Sequence, residues 1–201
     1  MTARDSALVT LLAHPDSPGN SVQRIAACAR LVGRESRWFQ YVLEADPMLV
    51  RIPPPLGDAG RTDRLWAHTC FEAFVAVPGS PRYLELNFSP SGQWAAYCFD
   101  SYRQGMAPAL GTAPTVAARH SEDRLELYAE VQLCASFSCL APGTRSPDRP
   151  RLRLALSTGV EDREGRLSYW VLRLPPGRPD FHHAEGFSLS LELASNSRDY
   201  P

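Results

Sequence analysis

The sequence predicts an antiparallel β-sandwich, and three observations lead to this fold class. Apolar and polar residues alternate through most of the chain, at the period of two that is typical of strands with one buried face. The 18 prolines and 13 glycines fall largely between these runs, which favours many short elements over a few long helices. The 201 residues suffice for one core. We therefore expect a single domain, 1–201, with its core at about 8–194 and a tail at 195–201.

Taken in order, the alternating runs predict nine or ten strands. The first, residues 21–32, is ambiguous because its alanines also suit a helix. The remaining runs cover residues 37–44, 49–52, 70–77, 83–89, 94–102, 125–133, 152–156, 168–174 and 187–193. Proline-rich stretches at 53–63, 107–114 and 141–150 are expected to be sandwich loops. Strands do not alternate with helices, so a Rossmann fold or an α/β barrel is not expected.

The turn between residues 83–89 and 94–102 has a specific prediction. Its sequence is Ser89-Pro90-Ser91-Gly92. Pro90 presets the φ angle of the second turn position, and Gly92 can adopt the positive φ that such turns often need. We expect a hairpin here, with Trp94 at the start of the returning strand.

Composition excludes several classes of function. The formal net charge is −1, which gives no electrostatic drive toward nucleic acid or an anionic membrane. All 21 basic residues are arginine, so lysine Schiff bases and a phosphate-loop lysine are excluded. No apolar run approaches the roughly 18 residues of a membrane span.

Cysteine usage and the N-terminal sequence bear on cellular location. No convincing export signal is visible, and no CxxC pair occurs among Cys28, Cys70, Cys98, Cys134 and Cys139. All five lie in apolar surroundings. We therefore expect five free thiols in a cytoplasmic protein.

The densest chemistry lies between residues 65 and 103. One face of the strand at 83–89 is apolar, while the other carries Tyr83, Glu85, Asn87 and Ser89 at two-residue spacing. Glu72 is the polar residue of the preceding apolar run. Such a row with nearby aromatic rings suits a sugar, whose hydroxyls need acceptors and donors and whose C–H face needs a flat ring. An ordinary solvated strand face is the structural alternative.

Seven residues are therefore candidate ligand contacts. Arg103, near the end of the returning strand, could bind ligand hydroxyls, pair with Glu85 or Glu72, or stack on a tyrosine. We predict a binding surface for a small polar ligand formed by Glu72, Tyr83, Glu85, Asn87, Trp94, Tyr97 and Arg103.

The segments LWAHTCFEAFV and YLELNFSPSGQWAAYCFDSYR resemble the signature of bacterial DOMON-like proteins, a group related to the family 9 carbohydrate-binding modules. Shorter matches are AHP at residues 13–15, a W-x-L at 170–172 and PDFH at 179–182, so that the resemblance spans about residues 10–190. It implies a β-sandwich that acts as a binding scaffold and not as an enzyme. It also favours a strand at residues 21–32. Relatives bind sugars or haem.

Other readings stay open. A haem module would need axial ligands, for which Met48 and His182 are one imaginable pair. Glu72 and Glu85 could form a glycosidase carboxylate pair, if they lie roughly 5–10 Å apart. A thiol enzyme built on His68 and Cys70 is a weaker reading, because no third orienting group is visible.

Two further readings have still less support. A zinc site from Cys134 and Cys139 has the wrong spacing for a zinc knuckle. A protein-interaction domain without a small ligand is the last alternative. We expect no metal and no cofactor; ligand identity and oligomeric state stay open.

Overall fold

The computed structural model describes residues 7–17, 21–32, 36–57, 59–133 and 151–192. Its named elements are strands and two single-turn 3-10 helices, Leu65–Ala67 and Ala184–Gly186. The strands are β1 (Val9–Thr10), β2 (Leu12–Ala13), β3 (Val22–Val32), β4 (Ser36–Ala45), β5 (Cys70–Ala76), β6 (Tyr83–Phe88), β7 (Trp94–Phe99), β8 (Ala107–Pro108), β9 (Thr115–His120), β10 (Arg124–Gln132), β11 (Arg151–Glu161), β12 (Leu167–Val171) and β13 (Leu189–Glu192).

The strands form two antiparallel sheets, which confirms the predicted β-sandwich. One sheet has the order β1-β3-β4-β10-β9. The other has the order β2-β12-β11-β5-β6-β7-β8, with β13 also paired to β11. β11 is long enough to pair with β5 along one side and with β12 and β13 in turn along the other. This strand order places β5 and β6 in the middle of the larger sheet.

The core fills the space between the sheets with alternate residues of each strand. Phe39 and Tyr41 of the smaller sheet contact Phe88 and Phe71 of the larger one, with ring centroids 5.8 and 5.1 Å apart. Each such buried aromatic side chain stabilises the fold by roughly 1.5–3 kcal/mol. The Tyr41 hydroxyl donates to the main-chain oxygen of Glu72 at 2.7 Å, so one hydrogen bond also joins the sheets.

Most predicted strands are present, with shifted ends. The ambiguous segment at 21–32 is strand β3. The run at 94–102 ends earlier, at Phe99, because the chain turns there and Arg103 takes a positive φ of 55°. The run at 49–52 is not a strand: Val50 alone forms a bridge, to Asp162, and prolines follow at 53–55. β9 was not predicted, and the loop at 141–150 and the tail at 195–201 lie outside the described residues.

The hairpin predicted at Ser89–Gly92 joins β6 to β7. The N–H of Gly92 donates to the Ser89 oxygen at 3.0 Å, and the N–H of Ser89 donates to the Gln93 oxygen at 2.9 Å. Gly92 has a φ of +91°, and a Cβ there would lie 3.0 Å from the Ala59 Cβ. The turn therefore needs glycine for its backbone angle and for its close neighbour.

We expect Gly92→Val to lower the free energy of unfolding by about 2–3 kcal/mol, because a β-branched residue is strained at positive φ and crowded by Ala59. Chemical denaturation measures the loss. Gly79→Val is the matched control, since Gly79 has a φ of +82° with open space around it. An equal loss in both variants would show that the contact with Ala59 adds nothing.

The prediction of five thiols is wrong for Cys98, which is disulfide-bonded, whereas Cys28 and Cys70 are buried and belong to no disulfide. Cys134 and Cys139 lie outside the described residues. Spacing along the chain could not reveal a bond that depends on which strands and loops the fold brings together. Within the described residues, no helix is both long and apolar enough to cross a membrane.

Candidate functional site

The polar row of β6 lies on the face of the larger sheet that points away from the core. Opposite residues of antiparallel neighbours share a face, and Glu72 lies opposite Asn87 while Glu85 lies opposite Tyr97. The row is not a solvated strand face, because Glu72, Glu85 and Asn87 are 4%, 4% and 0% exposed. A second layer of residues therefore covers this side of the sheet.

Two segments supply the cover. The 3-10 helix Leu65–Ala67 buries Leu65 and presents Trp66. The segment at 179–187 is tied down near its end by Arg153, whose guanidinium donates to the Phe187 oxygen at 2.9 Å. In this second segment, His182 and Phe187 pack on Phe74 of the sheet. Because these two segments pack on it, the polar face of the sheet is part of a second buried cluster. A gap remains between the two segments and the sheet.

The gap is a cavity of about 490 Å³ above Glu72 and Glu85. This volume is within the range of small-molecule sites. The cavity is lined by Trp66, Ala67, Glu72, Glu85, Phe99, Arg103, Met106, Gly159, Leu167, Tyr169, Pro179, Phe181 and His182.

Two carboxyl groups form the polar floor of the cavity. Burial raises the pKa of Glu72 well above its usual value, and the neighbouring Glu85 raises it further. Burial also raises the pKa of Glu85, although a hydrogen bond from Asn87 and the charge of Arg103 oppose this. The Asn87 Nδ2 donates to the Glu85 Oε1 at 2.7 Å. Within the described residues, no hydrogen bond reaches the Glu72 carboxyl, so Glu72 is the group that most readily keeps a proton.

The hydrogen bonds around His182 favour one tautomer. The Tyr83 hydroxyl accepts from the main-chain N–H of Arg103 at 3.1 Å, which leaves its own proton for the His182 Nδ1 at 2.7 Å. The Nε2 then carries the hydrogen and lies 3.7 Å from the Glu85 Oε2. Burial, with the charge of Arg103, lowers the pKa of His182 to about 4. His182 is therefore neutral at neutral pH and presents a donor to the cavity.

Arg103 binds neither glutamate directly. Its guanidinium donates to the Asp180 carboxylate at 2.7 Å, and Asp180 also accepts from the Tyr102 hydroxyl at 2.5 Å. The guanidinium also lies 6.0 Å from the centre of the Tyr102 ring. The Arg103 side chain is half exposed. Of the roles predicted for Arg103, pairing with Glu85 or Glu72 is therefore wrong, because Asp180 takes the guanidinium.

The seven predicted site residues differ in their position relative to the cavity. Glu72, Glu85 and Arg103 line the cavity. Tyr83 and Asn87 lie beneath it and hold His182 and Glu85 in place.

The other two predicted residues do not line the cavity. Tyr97 is buried under Trp66 and donates to the Asp63 carboxylate at 2.6 Å. Trp94 lies opposite Phe88 on the other face of the sheet and packs on the core, so its predicted place in this surface is wrong.

Several cavity residues were not among the seven predicted sugar contacts, although His182 was considered as a haem ligand. Trp66, Tyr169, Phe181 and Met106 supply walls, and His182 supplies the neutral donor. Trp66 stands in the LWAHTCFE segment and Phe181 and His182 in the PDFH match, so the family resemblance contained a signal for three of them. Tyr169 had no such signal, because only the pairing of β12 with β11 brings it to this face.

The fold that carries the cavity is also found among solved structures. The chain is similar to a candidate carbohydrate-binding protein from Bacteroides uniformis, with a TM-score of 0.60 and 16% identity over 85% of this chain and 79% of that one. The likeness is one of fold. Structures of a family 9 carbohydrate-binding module from Caldicellulosiruptor kristjanssonii also match, with glucose (TM-score 0.47, 10% identity, 89% and 81% covered) and with cellotriose (0.40, 8%, 74% and 65%). No family model and no curated sequence matches the chain.

His68 and Cys70 do not form a reactive site. Cys70 is fully buried, and burial raises the pKa of its thiol well above the usual value. The His68 Nδ1 instead lies 2.9 Å from the Glu161 carboxylate, at the protein surface. A buried thiol with a raised pKa is a poor nucleophile. The described residues contain no group of three or more potential metal ligands.

Removing the Arg103 side chain tests how much the ion pair with Asp180 stabilises the cover. We expect Arg103→Ala to reduce the free energy of unfolding by only about 1 kcal/mol, because the Arg103 side chain is half exposed and solvent screens its charge. The pKa of His182 should rise, since the charge of Arg103 helps to lower it. Calorimetry and an NMR titration of the histidines measure both effects.

Arg82→Ala is the control, because Arg82 also pairs with an aspartate, Asp100, at 2.7 Å, and neither residue lines the cavity. It should leave the pKa of His182 unchanged. A stability loss of several kcal/mol in Arg103→Ala alone would show that the pair is a structural element of the cover.

Proposed function

We propose that the chain is a non-catalytic binding domain of the DOMON-like group and that its cavity binds a carbohydrate. The observation that carries the proposal is the cavity above Glu72 and Glu85, which combines buried polar groups with aromatic walls. The fold it shares with a candidate carbohydrate-binding protein supports the proposal.

The chemistry of the cavity suits a single sugar ring. A pyranose presents hydroxyl groups around its edge and C–H groups on its faces. Glu85 offers acceptor oxygens, the Nε2 of His182 offers a donor, and Trp66 and Tyr169 offer rings for the C–H faces. The polar groups are already fixed by hydrogen bonds to Asn87 and Tyr83, so binding them needs little reorganisation.

Haem is the alternative cofactor, and the geometry gives it less support. Met48 is 74% exposed and does not line the cavity, although Met106 does. His182 already uses its Nδ1 to accept from Tyr83, and its Nε2–H points toward Glu85. An axial ligand would have to give up the second of these contacts. A Soret band in the purified protein would favour haem over a sugar.

Location remains a separate prediction. Disulfides are rare in the cytosol, so the bonded Cys98 argues against the cytoplasmic location that the sequence suggested. Absence of binding to nucleic acids and membranes also remains a prediction, which the net charge of −1 supports.

A thermal-shift screen against mono- and disaccharides tests the proposed function. A sugar present at about a hundred times its Kd should add roughly 2.7 kcal/mol to the free energy of unfolding. The Phe181→Ala variant should lose the shift, because it opens one wall of the cavity. A screen in which no sugar shifts the midpoint would overturn carbohydrate binding, and release of product from aryl glycosides would overturn the non-catalytic role.

A further inference from the structure

The charged groups of the cavity point to a more specific ligand, and this inference rests on the proposed function. We propose that the cavity selects a sugar with a protonated amine, a hexosamine, whose ammonium group lies against Glu72 and Glu85. Neutral sugars would bind more weakly, and sugars with a carboxylate would be rejected.

The first step is the balance of charge. Among the cavity-lining residues, the ionisable acids and bases are Glu72, Glu85, Arg103 and His182. Arg103 is paired with Asp180 at 2.7 Å, and that carboxylate balances its charge. His182 is neutral at neutral pH. The charge of Arg103 still lowers the pKa of Glu85, but within the described residues no arginine forms an ion pair with either floor carboxyl, so a ligand cation would be their direct partner.

The second step concerns the missing hydrogen bonds of the Glu72 carboxyl in the cavity floor. Glu72 is 4% exposed and lines the cavity, yet no described residue donates a hydrogen bond to its carboxyl. Ser157, which lies opposite Glu72 on β11, is 1% exposed, and its hydroxyl also has no partner within the described residues. Buried polar groups of this kind normally have partners. An ammonium group has three donors and can serve Glu72 and Glu85 together.

The third step is the nature of the walls. Trp66, Phe99, Tyr169 and Phe181 surround the same space. The faces of aromatic rings attract a cation within about 6 Å, and this attraction grows where water is excluded. Aromatic residues that line the same cavity as two carboxyls therefore favour a cationic group and penalise an anionic one. The sugar ring itself can still pack its C–H face on Trp66.

Calorimetric titration with matched sugars tests the selection. The probes are glucose and three derivatives that each differ from it at one carbon: glucosamine and N-acetylglucosamine at C2, and glucuronic acid at C6. We expect glucosamine to bind at least about tenfold more tightly than glucose, which is about 1.4 kcal/mol, and glucuronic acid to show no binding. N-acetylglucosamine should resemble glucose or bind more weakly, because acetylation removes the charge.

A pair of variants assigns the effect to the floor. Glu72→Gln should lower the ratio of glucosamine affinity to glucose affinity, because glutamine keeps the shape of the side chain and removes its charge. Glu130→Gln is the control, because Glu130 is exposed on β10 of the other sheet. Equal binding of glucose and glucosamine, or tighter binding of glucuronic acid, would overturn the inference and leave carbohydrate binding intact. No binding of any sugar would overturn both.

Discussion

Trp94→Ala is expected to destabilise the protein without impairing ligand binding, and Trp66→Ala is expected to do the reverse. Trp94 packs on the core between the sheets, so its loss should remove about 2–3 kcal/mol from the free energy of unfolding and lower the Tm by about 5–10 °C. Trp66 is 36% exposed at the mouth of the cavity. Its loss should reduce ligand affinity about tenfold or more while the Tm falls by only a few degrees.

The two variants are matched controls for each other, because each removes one indole and the two indoles lie on opposite faces of the larger sheet. Thermal unfolding and titration with the best ligand of the sugar screen measure the two effects. Loss of affinity in Trp94→Ala with an unchanged Tm would mean that the ligand surface lies on the opposite face. Unchanged affinity in Trp66→Ala would remove the aromatic wall from the proposed site.

The contrast between these tryptophans shows how far the sequence could predict the site. Alternation along residues 83–89 correctly separated Leu84, Leu86 and Phe88 from the polar row, because the pleat enforces a period of two within one strand. Placing Trp94 required the register between β6 and β7, which the loop sets. In that register Trp94 lies opposite Phe88 and must share its core face.

The cover of the polar row could not be predicted by the same reasoning. Period-two alternation identifies the two faces of a strand but does not say what packs on each of them. The segment at 179–187 reaches this face because Arg153, Arg103 and Tyr102 hold it by hydrogen bonds. These contacts join residues far apart in the chain, so local pattern contains no trace of them. The same reason explains why the disulfide of Cys98 was missed.

Glu72→Gln is expected to stabilise the protein at neutral pH even though it removes ligand selectivity. Glu72 has a raised pKa in the folded state because it is buried and close to Glu85. When the pKa of a carboxyl is higher in the folded chain than in the unfolded chain, the protonated carboxyl contributes to the free energy of unfolding. This contribution is complete at pH values below the pKa of the unfolded chain, about 4.3. That contribution is lost as the pH rises through the folded value, since the unfolded chain then releases the proton more readily. Glutamine has the same shape and never ionises.

Denaturation between about pH 5 and about pH 8 measures this difference. The wild-type protein should lose stability as the pH rises through this range, and the slope should be smaller in Glu72→Gln. At the upper end the variant should be more stable by on the order of 1–2 kcal/mol, because its neutral amide avoids ionisation inside the cover. Glu85 keeps its own raised pKa, so part of the slope should remain.

The exposed Glu130→Gln should follow the wild-type curve, since the control carboxyl is solvated. Parallel curves for wild type and Glu72→Gln would show that Glu72 ionises as freely in the folded chain as in the unfolded one. A carboxyl kept at a position where it destabilises the folded protein is best explained by a ligand, because binding supplies the partner that the fold does not. Saturation with glucosamine should therefore reduce the wild-type slope, since the ammonium group favours the ionised carboxyl, and should change the Glu72→Gln slope less because only Glu85 remains to respond.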